Sequence, residues 1–85
     1  MKNIKYTIND PLGIHARPAG LLVKESNQFT SNITVKKGDK TADCKKIFGL
    51  MSLGVKQNDT IEIIIDGSDE ENAANAIEAF LKQNM

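Results

Sequence analysis

Eighty-five residues, 40% of them apolar and 26% charged, suffice for one modest hydrophobic core and argue against wholesale disorder. Eleven Lys and Arg balance eleven Asp and Glu, and zero formal charge disfavours a chain that lives by clasping nucleic acid or an anionic membrane. The single cysteine cannot close an internal disulfide, no apolar run approaches the ~20 residues of a membrane helix, and the N-terminus has no signal-peptide pattern, so a cytoplasmic chain folding as one domain over 1–85 is expected.

The first predicted element is a strand, in which Ile4, Tyr6 and Ile8 alternate with Lys5 and Thr7. Asn9-Asp10-Pro11-Leu12-Gly13 breaks it with turn chemistry. The pattern becomes helical from Ala16 to about Asn27, with Ala19, Leu22 and Val23 on one stripe and Lys24, Glu25 and Asn27 toward water. Pro18 fits only the first helical turn, which places the helix start near His15. Gly20 is unfavourable in a helix interior, so it suggests close packing or close approach by a partner. Ile33 and Val35 mark a second strand, Lys37-Gly38-Asp39-Lys40 a tight hairpin turn, and Thr41 to Asp43 a third strand. The segment from Lys45 to Gly54 reads as one or two helical turns ending near Leu53. Thr60 to Asp66 is a strand with Ile61, Ile63 and Ile65 on one face and Ile64 on the other. Ser68 and Glu71 match a capping box for a last helix, whose apolar stripe is Ala73, Ala74, Ile77, Phe80 and Leu81. The order β-α-β-β-α-β-α, with alternating strands, implies a two-layer α+β domain whose sheet has one well-buried face.

Ten of the eleven basic residues are lysine; the one arginine, Arg17, and the one histidine, His15, sit two positions apart in Gly13-Ile14-His15-Ala16-Arg17-Pro18. A histidine just before a helix lies beside free N–H groups and the positive end of the helix dipole, which together form an anion site. That field disfavours imidazolium, so a neutral ring with a nucleophilic nitrogen is expected near pH 7. A guanidinium can bond two phosphate oxygens at once. The set suits a phosphoryl group: a nitrogen to accept it, with Arg17 and the Ala16 and Arg17 amides to hold its oxygens. The competing reading is a surface histidine with no such task.

Gly13-Ile14-His15-Ala16-Arg17-Pro18-Ala19 resembles the active-site signature of the HPr family, the histidine phosphocarriers of the bacterial phosphoenolpyruvate-dependent sugar phosphotransferase system (PTS). Lys46-Ile47-Phe48-Gly49-Leu50-Met51-Ser52-Leu53-Gly54 resembles that family's second signature, at matching spacing, and the likeness covers essentially the whole chain. The resemblance implies a two-layer open-faced sandwich: a four-stranded antiparallel sheet, order 1-4-2-3, with three helices on one face. It implies that His15 carries the phosphoryl group on Nδ1 with Arg17 assisting. The donor would be Enzyme I and the acceptors Enzyme IIA domains, with no cofactor and no multiple-turnover chemistry on a small substrate alone. Partner docking would fall on Ala16, Gly20, Lys24, Lys46, Ile47, Phe48, Gly49, Met51 and Gly54.

Two positions depart from the family pattern. Lys46 occupies the slot in which many members carry a regulatory serine; a lysine has no hydroxyl to phosphorylate, and the short helix loses its usual N-cap. Ser52 belongs to the matched signature and is not a displaced copy of that serine. Leu12 stands where a small polar residue is common, so Arg17 and backbone amides would carry more of the phosphoryl contacts.

Phe48 and Met51 are expected to be at least partly exposed, and Met suits a surface that meets several partners. Lys45 and Lys46 are candidates for steering acidic partners. Cys44 reads as a small buried hydrophobe. One His and one Cys do not furnish a metal site of the usual ligand count, and Asp69-Glu70-Glu71 reads as complementing a helix dipole. Alternatives remain: a regulatory paralogue in nitrogen or carbon control, an RNA-recognition domain, and an acyl-phosphate hydrolase. The second lacks stacking aromatics on its central strands, the chain having only three Phe and one Tyr. The third lacks its phosphate-loop signature. A monomer without nucleic-acid or membrane partners is expected.

Overall fold

Alternating isoleucines place Thr60–Asp66 at the heart of a sheet, buried on one face and wet on the other. The computed structural model describes residues 1–85. Its elements are β1 (Lys2–Thr7), α1 (Ala16–Ser26), β2 (Asn32–Lys37), β3 (Lys40–Asp43), α2 (Ile47–Ser52), β4 (Thr60–Asp66) and α3 (Glu70–Asn84). The sheet order is β1-β4-β2-β3 and every neighbouring pair is antiparallel. Ile63 pairs with Ile4 on one side and Val35 on the other, while Ile65 pairs with Ile33. These rows are buried against α1, α2 and α3, which contribute Ala19, Leu22, Leu50, Leu53, Ala73, Ile77 and Leu81 to the same core. Each fully buried Leu or Ile contributes about 1.5–3 kcal/mol. The opposite face carries Asn3, Ile64 and Thr34 in one row and Lys5, Glu62 and Lys36 in the next. No helix is long and apolar enough to cross a membrane.

Three boundaries differ from the predicted ones. Ile8 lies beyond β1: its N–H donates to the Asp59 carbonyl (2.9 Å) and its own carbonyl accepts from the Asn58 N–H (2.8 Å), so a loop and not a strand holds this buried residue. The β2–β3 hairpin turns tightly at Lys37-Gly38-Asp39-Lys40 as expected, but Lys40 is already paired with Lys37, so β3 starts one residue before Thr41.

The third difference is the capping box of α3, which does not form. The helix starts at Glu70 with Asp69 as N-cap, and no side chain caps it. Asp69 instead reaches across to the chain before β2. It accepts the N–H groups of Thr30 (2.8 Å) and Ser31 (3.0 Å) and the Ser31 hydroxyl. Ser31 is buried, so its donors need a partner more than the solvent-facing first turn does. The Ser31 hydroxyl and then the Thr30 N–H hold the Asp69 carboxyl down at about 2. Ser68 contacts only the Thr30 hydroxyl, at 3.4 Å. Glu70, and not Glu71, reaches back, accepting the Gly67 N–H at 3.3 Å.

Candidate functional site

The loop from β1 to α1 is built to present His15. Asp10 organises its turn: the Asp10 carbonyl accepts the Gly13 N–H (2.9 Å) and its carboxylate Oδ1 accepts the Leu12 N–H (2.9 Å). The Met85 carbonyl ties the same stretch down by accepting from the N–H groups of Asn9 (2.6 Å) and Asp10 (3.1 Å). Gly13 then crosses the 55–56 segment at φ +67°, so close that a Cβ there would lie 2.1 Å from the Val55 carbonyl oxygen. Only glycine combines that conformation with that approach. The next residue, Ile14, is buried and donates its N–H to the same Val55 carbonyl at 3.1 Å.

His15 follows in an extended conformation as the N-cap of α1. Its carbonyl accepts the Ala19 N–H at 3.0 Å, while its ring caps nothing. Pro18 is buried in the first turn and brings no N–H. The amides of Ala16 and Arg17 have no partner within the helix and stay free for an anion. Arg17 is exposed and takes part in none of the five ion pairs of the protein. Its guanidinium is therefore available to a ligand.

Asp10 is the site residue missed from sequence. Its Oδ2 lies 3.3 Å from His15 Nε2, and both side chains are partly exposed. The Leu12 N–H holds the Asp10 carboxyl below the usual carboxylate range; burial opposes it, and the His15 ring adds a lesser lowering. The His15 ring thus faces a carboxylate of opposite sign as well as the helix end and Arg17. Asp-Pro read only as turn chemistry, because nothing in a linear pattern shows that the turn folds the carboxylate back onto a ring five residues later. Asp10, His15, Arg17, Pro18, Leu21 and Asn84 line an open depression of about 310 Å³. A larger one, about 480 Å³, lies along β2 and β3 near Thr34, Thr41 and Lys45, and has no nucleophile beside a free cation. The smaller depression is the one that brings the His15 and Arg17 side chains together.

The remaining predicted site residues divide by exposure. α1 packs on α2. Phe48 is 85% exposed and Met51 42%, while Ile47 is half-buried against the core. Ala16 and Lys24 are exposed on α1, and Leu21, unnoticed in the sequence, is exposed there too. Gly20 is not forced by packing: a Cβ there would meet only the Ile47 Cδ1 at 3.7 Å, an ordinary contact. Gly49 is likewise roomy, 3.6 Å from the Ala42 Cβ. Gly54 ends α2 in the left-handed region at φ +64°. Lys46 is the exposed N-cap of α2 and makes no capping hydrogen bond. Lys45 is not a free steering charge, since its ammonium donates to the Phe29 carbonyl at 2.7 Å. The Ser52 hydroxyl turns back to the Gly49 carbonyl at 2.7 Å. Leu12 is 72% exposed and offers no polar contact. Cys44 is fully buried beside the Ser26 hydroxyl (3.2 Å), and burial pushes its thiol up to about 11.

Comparison with known proteins agrees with this geometry. Residues 2–83 match the family described as "PTS-HPr: PTS HPr component phosphorylation site". The chain is 47% identical over 86 residues to the phosphocarrier protein HPr of Mycoplasma pneumoniae, covering 100% of this chain and 98% of that one. It is 45% identical over 71 residues to the HPr-like protein Crh of Halalkalibacterium halodurans, 84% of each chain. A solved histidine-containing phosphocarrier protein from Mycoplasma superposes with a TM-score of 0.94 at 35% identity, over 96% of this chain and 93% of that one. With a family match along nearly its whole length and the sheet order of that family, the chain belongs to the HPr family of PTS phosphocarrier proteins.

Proposed function

We propose that this protein shuttles phosphoryl groups in PTS sugar uptake, taking one onto His15 from phosphorylated Enzyme I and passing it to Enzyme IIA domains. The observation that carries the reading is a histidine at the N-cap of α1, beside two open amides and an unpaired arginine. The Nδ1 lone pair attacks phosphorus as the donor's bond to phosphorus breaks, and that bond's electron pair leaves with the donor. Arg17 and the Ala16 and Arg17 amides hold the three phosphoryl oxygens, whose charge is best met by fixed donors. The second transfer reverses these steps toward the acceptor. No cofactor enters.

Partners dock on the exposed rim of α1 and α2, on Ala16, Gly20, Lys24, Lys46, Ile47, Phe48, Gly49, Met51 and Gly54. Lys46 places a positive charge there, where a phosphorylated serine would place a negative one. In this reading the carrier works in the cytoplasm as a monomer. A regulatory role in nitrogen or carbon control is the second reading, favoured by the likeness to the Crh protein.

Incubation with phosphoenolpyruvate and Enzyme I, followed by intact mass measurement, tests the proposal. One phosphoryl group, lost on acid treatment, is expected on the parent and none on His15→Ala. Full labelling of His15→Ala would remove His15 as the acceptor. Onward transfer to an Enzyme IIA domain separates the transport role from the regulatory one.

A further inference from the structure

The mechanism above needs a lone pair on Nδ1, and a neutral imidazole places its one proton on either nitrogen. In many sites a carboxylate on one ring nitrogen decides which. Here Asp10 is such a carboxylate. Its Oδ2 lies 3.3 Å from Nε2, its Oδ1 is occupied by the Leu12 N–H at 2.9 Å, and its main chain is bonded to Gly13 and Met85. Both carboxylate oxygens thus have assigned partners, and the carboxylate cannot turn away without breaking the loop's own bonds. No protein group hydrogen-bonds Nδ1, so Asp10 is the only side chain hydrogen-bonded to the ring.

The geometry points to Asp10 as a positioning residue that holds the His15 proton on Nε2 and so keeps the Nδ1 lone pair open to phosphorus. This rests on the phosphocarrier reading for its consequence, though not for the tautomer itself. In the transfer, Nδ1 gains its bond to phosphorus while Nε2 keeps its proton, so no proton has to leave. The positive charge that the phosphorylated ring then carries faces the Asp10 carboxylate.

The arrangement makes Asp10→Asn a sharper probe than deletion. The carboxamide has the same shape but one acceptor oxygen. The Leu12 N–H claims that oxygen, which turns the NH₂ group toward Nε2. A donor there makes Nε2 the acceptor and drives the proton to Nδ1, blocking the nucleophile.

The test is ¹⁵N NMR of the ring, in the unphosphorylated protein, at a pH where the ring is neutral. The parent should show a protonated Nε2 and an unprotonated Nδ1, and Asp10→Asn the reverse. Phosphorylation by the donor should slow by about 10-fold or more in Asp10→Asn, with the KM for the donor unchanged. A parent ring protonated on Nδ1 overturns the inference, and so does an Asp10→Asn protein that keeps the parent's tautomer and rate. A parent that shows the Nε2–H tautomer yet accepts no phosphate overturns the phosphocarrier reading alone.

Discussion

Replacing Gly13 with alanine should disable the proposed site through the backbone, without altering His15, Arg17 or Asp10. Three costs follow from the geometry. An alanine at φ +67° pays the left-handed penalty of about 1–2 kcal/mol. Its Cβ would stand 2.1 Å from the Val55 carbonyl oxygen, against an ordinary contact near ~3.5 Å, so one of the two segments must retreat. That retreat strains the Ile14 N–H to Val55 bond, worth about 0.5–1.5 kcal/mol net and more if the buried amide finds no other partner. Together they give a loss of about 2–4 kcal/mol, a large share of the 5–15 kcal/mol that a small domain has. For a domain of this size that means a Tm lower by about 10–25 °C. Urea unfolding monitored by circular dichroism measures the loss directly. The phosphorylation rate should be compared at a temperature where both proteins are folded; it should fall, because His15 rides on the displaced residues. A Gly13→Ala protein within about 0.5 kcal/mol of the parent would refute the argument, showing that the loop yields without cost.

Phe48→Ala should leave stability within about 0.5 kcal/mol of the parent because the ring is 85% exposed, yet raise the KM for the donor enzyme about 10-fold; unchanged transfer kinetics would take Phe48 out of the docking rim. Asp69 titrates at about 2 in the folded protein, below its usual value near ~3.9, so its contribution is fully present above pH ~4 and is lost as pH falls from there toward 2. Unfolding midpoints across that range should drop in the parent and drop less steeply in Asp69→Asn, which should already be weaker at pH 7; parallel curves would show that the Ser31 and Thr30 bonds contribute nothing specific.

Periodicity recovered the elements because each strand or helix buries one face against the same core. The isoleucines of β4 and the stripe Ala73, Ile77, Leu81 are cases in point. The errors fall where a side chain has two local options and a distant residue decides between them. Ser68 and Glu71 match a cap by spacing, but the buried donors of Ser31 claim the neighbouring Asp69 and the helix starts without a side-chain cap. Asp10 belongs to a turn by composition and to the histidine by geometry. Leu21 sits among core residues in the sequence and is left in the open on α1. His15 and Arg17 could be found because the chain has one of each and they frame a proline-marked helix start. Val55, which sets the height of the loop beneath them, carries only a backbone carbonyl and leaves no mark in a side-chain pattern.

The strand order carries a consequence for how the protein comes into being. β1 and β2 do not pair with each other; β4 lies between them and pairs with both. A growing chain that has reached only Asp59 can form the β2–β3 hairpin and frayed helices, but it has no strand to complete the sheet. Contacts of such long sequence separation are paid for in loop entropy before they return anything, and they slow folding. The loop that presents His15 is held from the same late half, by Val55, Asn58 and Asp59 and finally by Met85. During synthesis His15 is therefore translated well before Val55, Asn58 and Asp59, and a chain that stops short of them displays the signature without the loop that presents it.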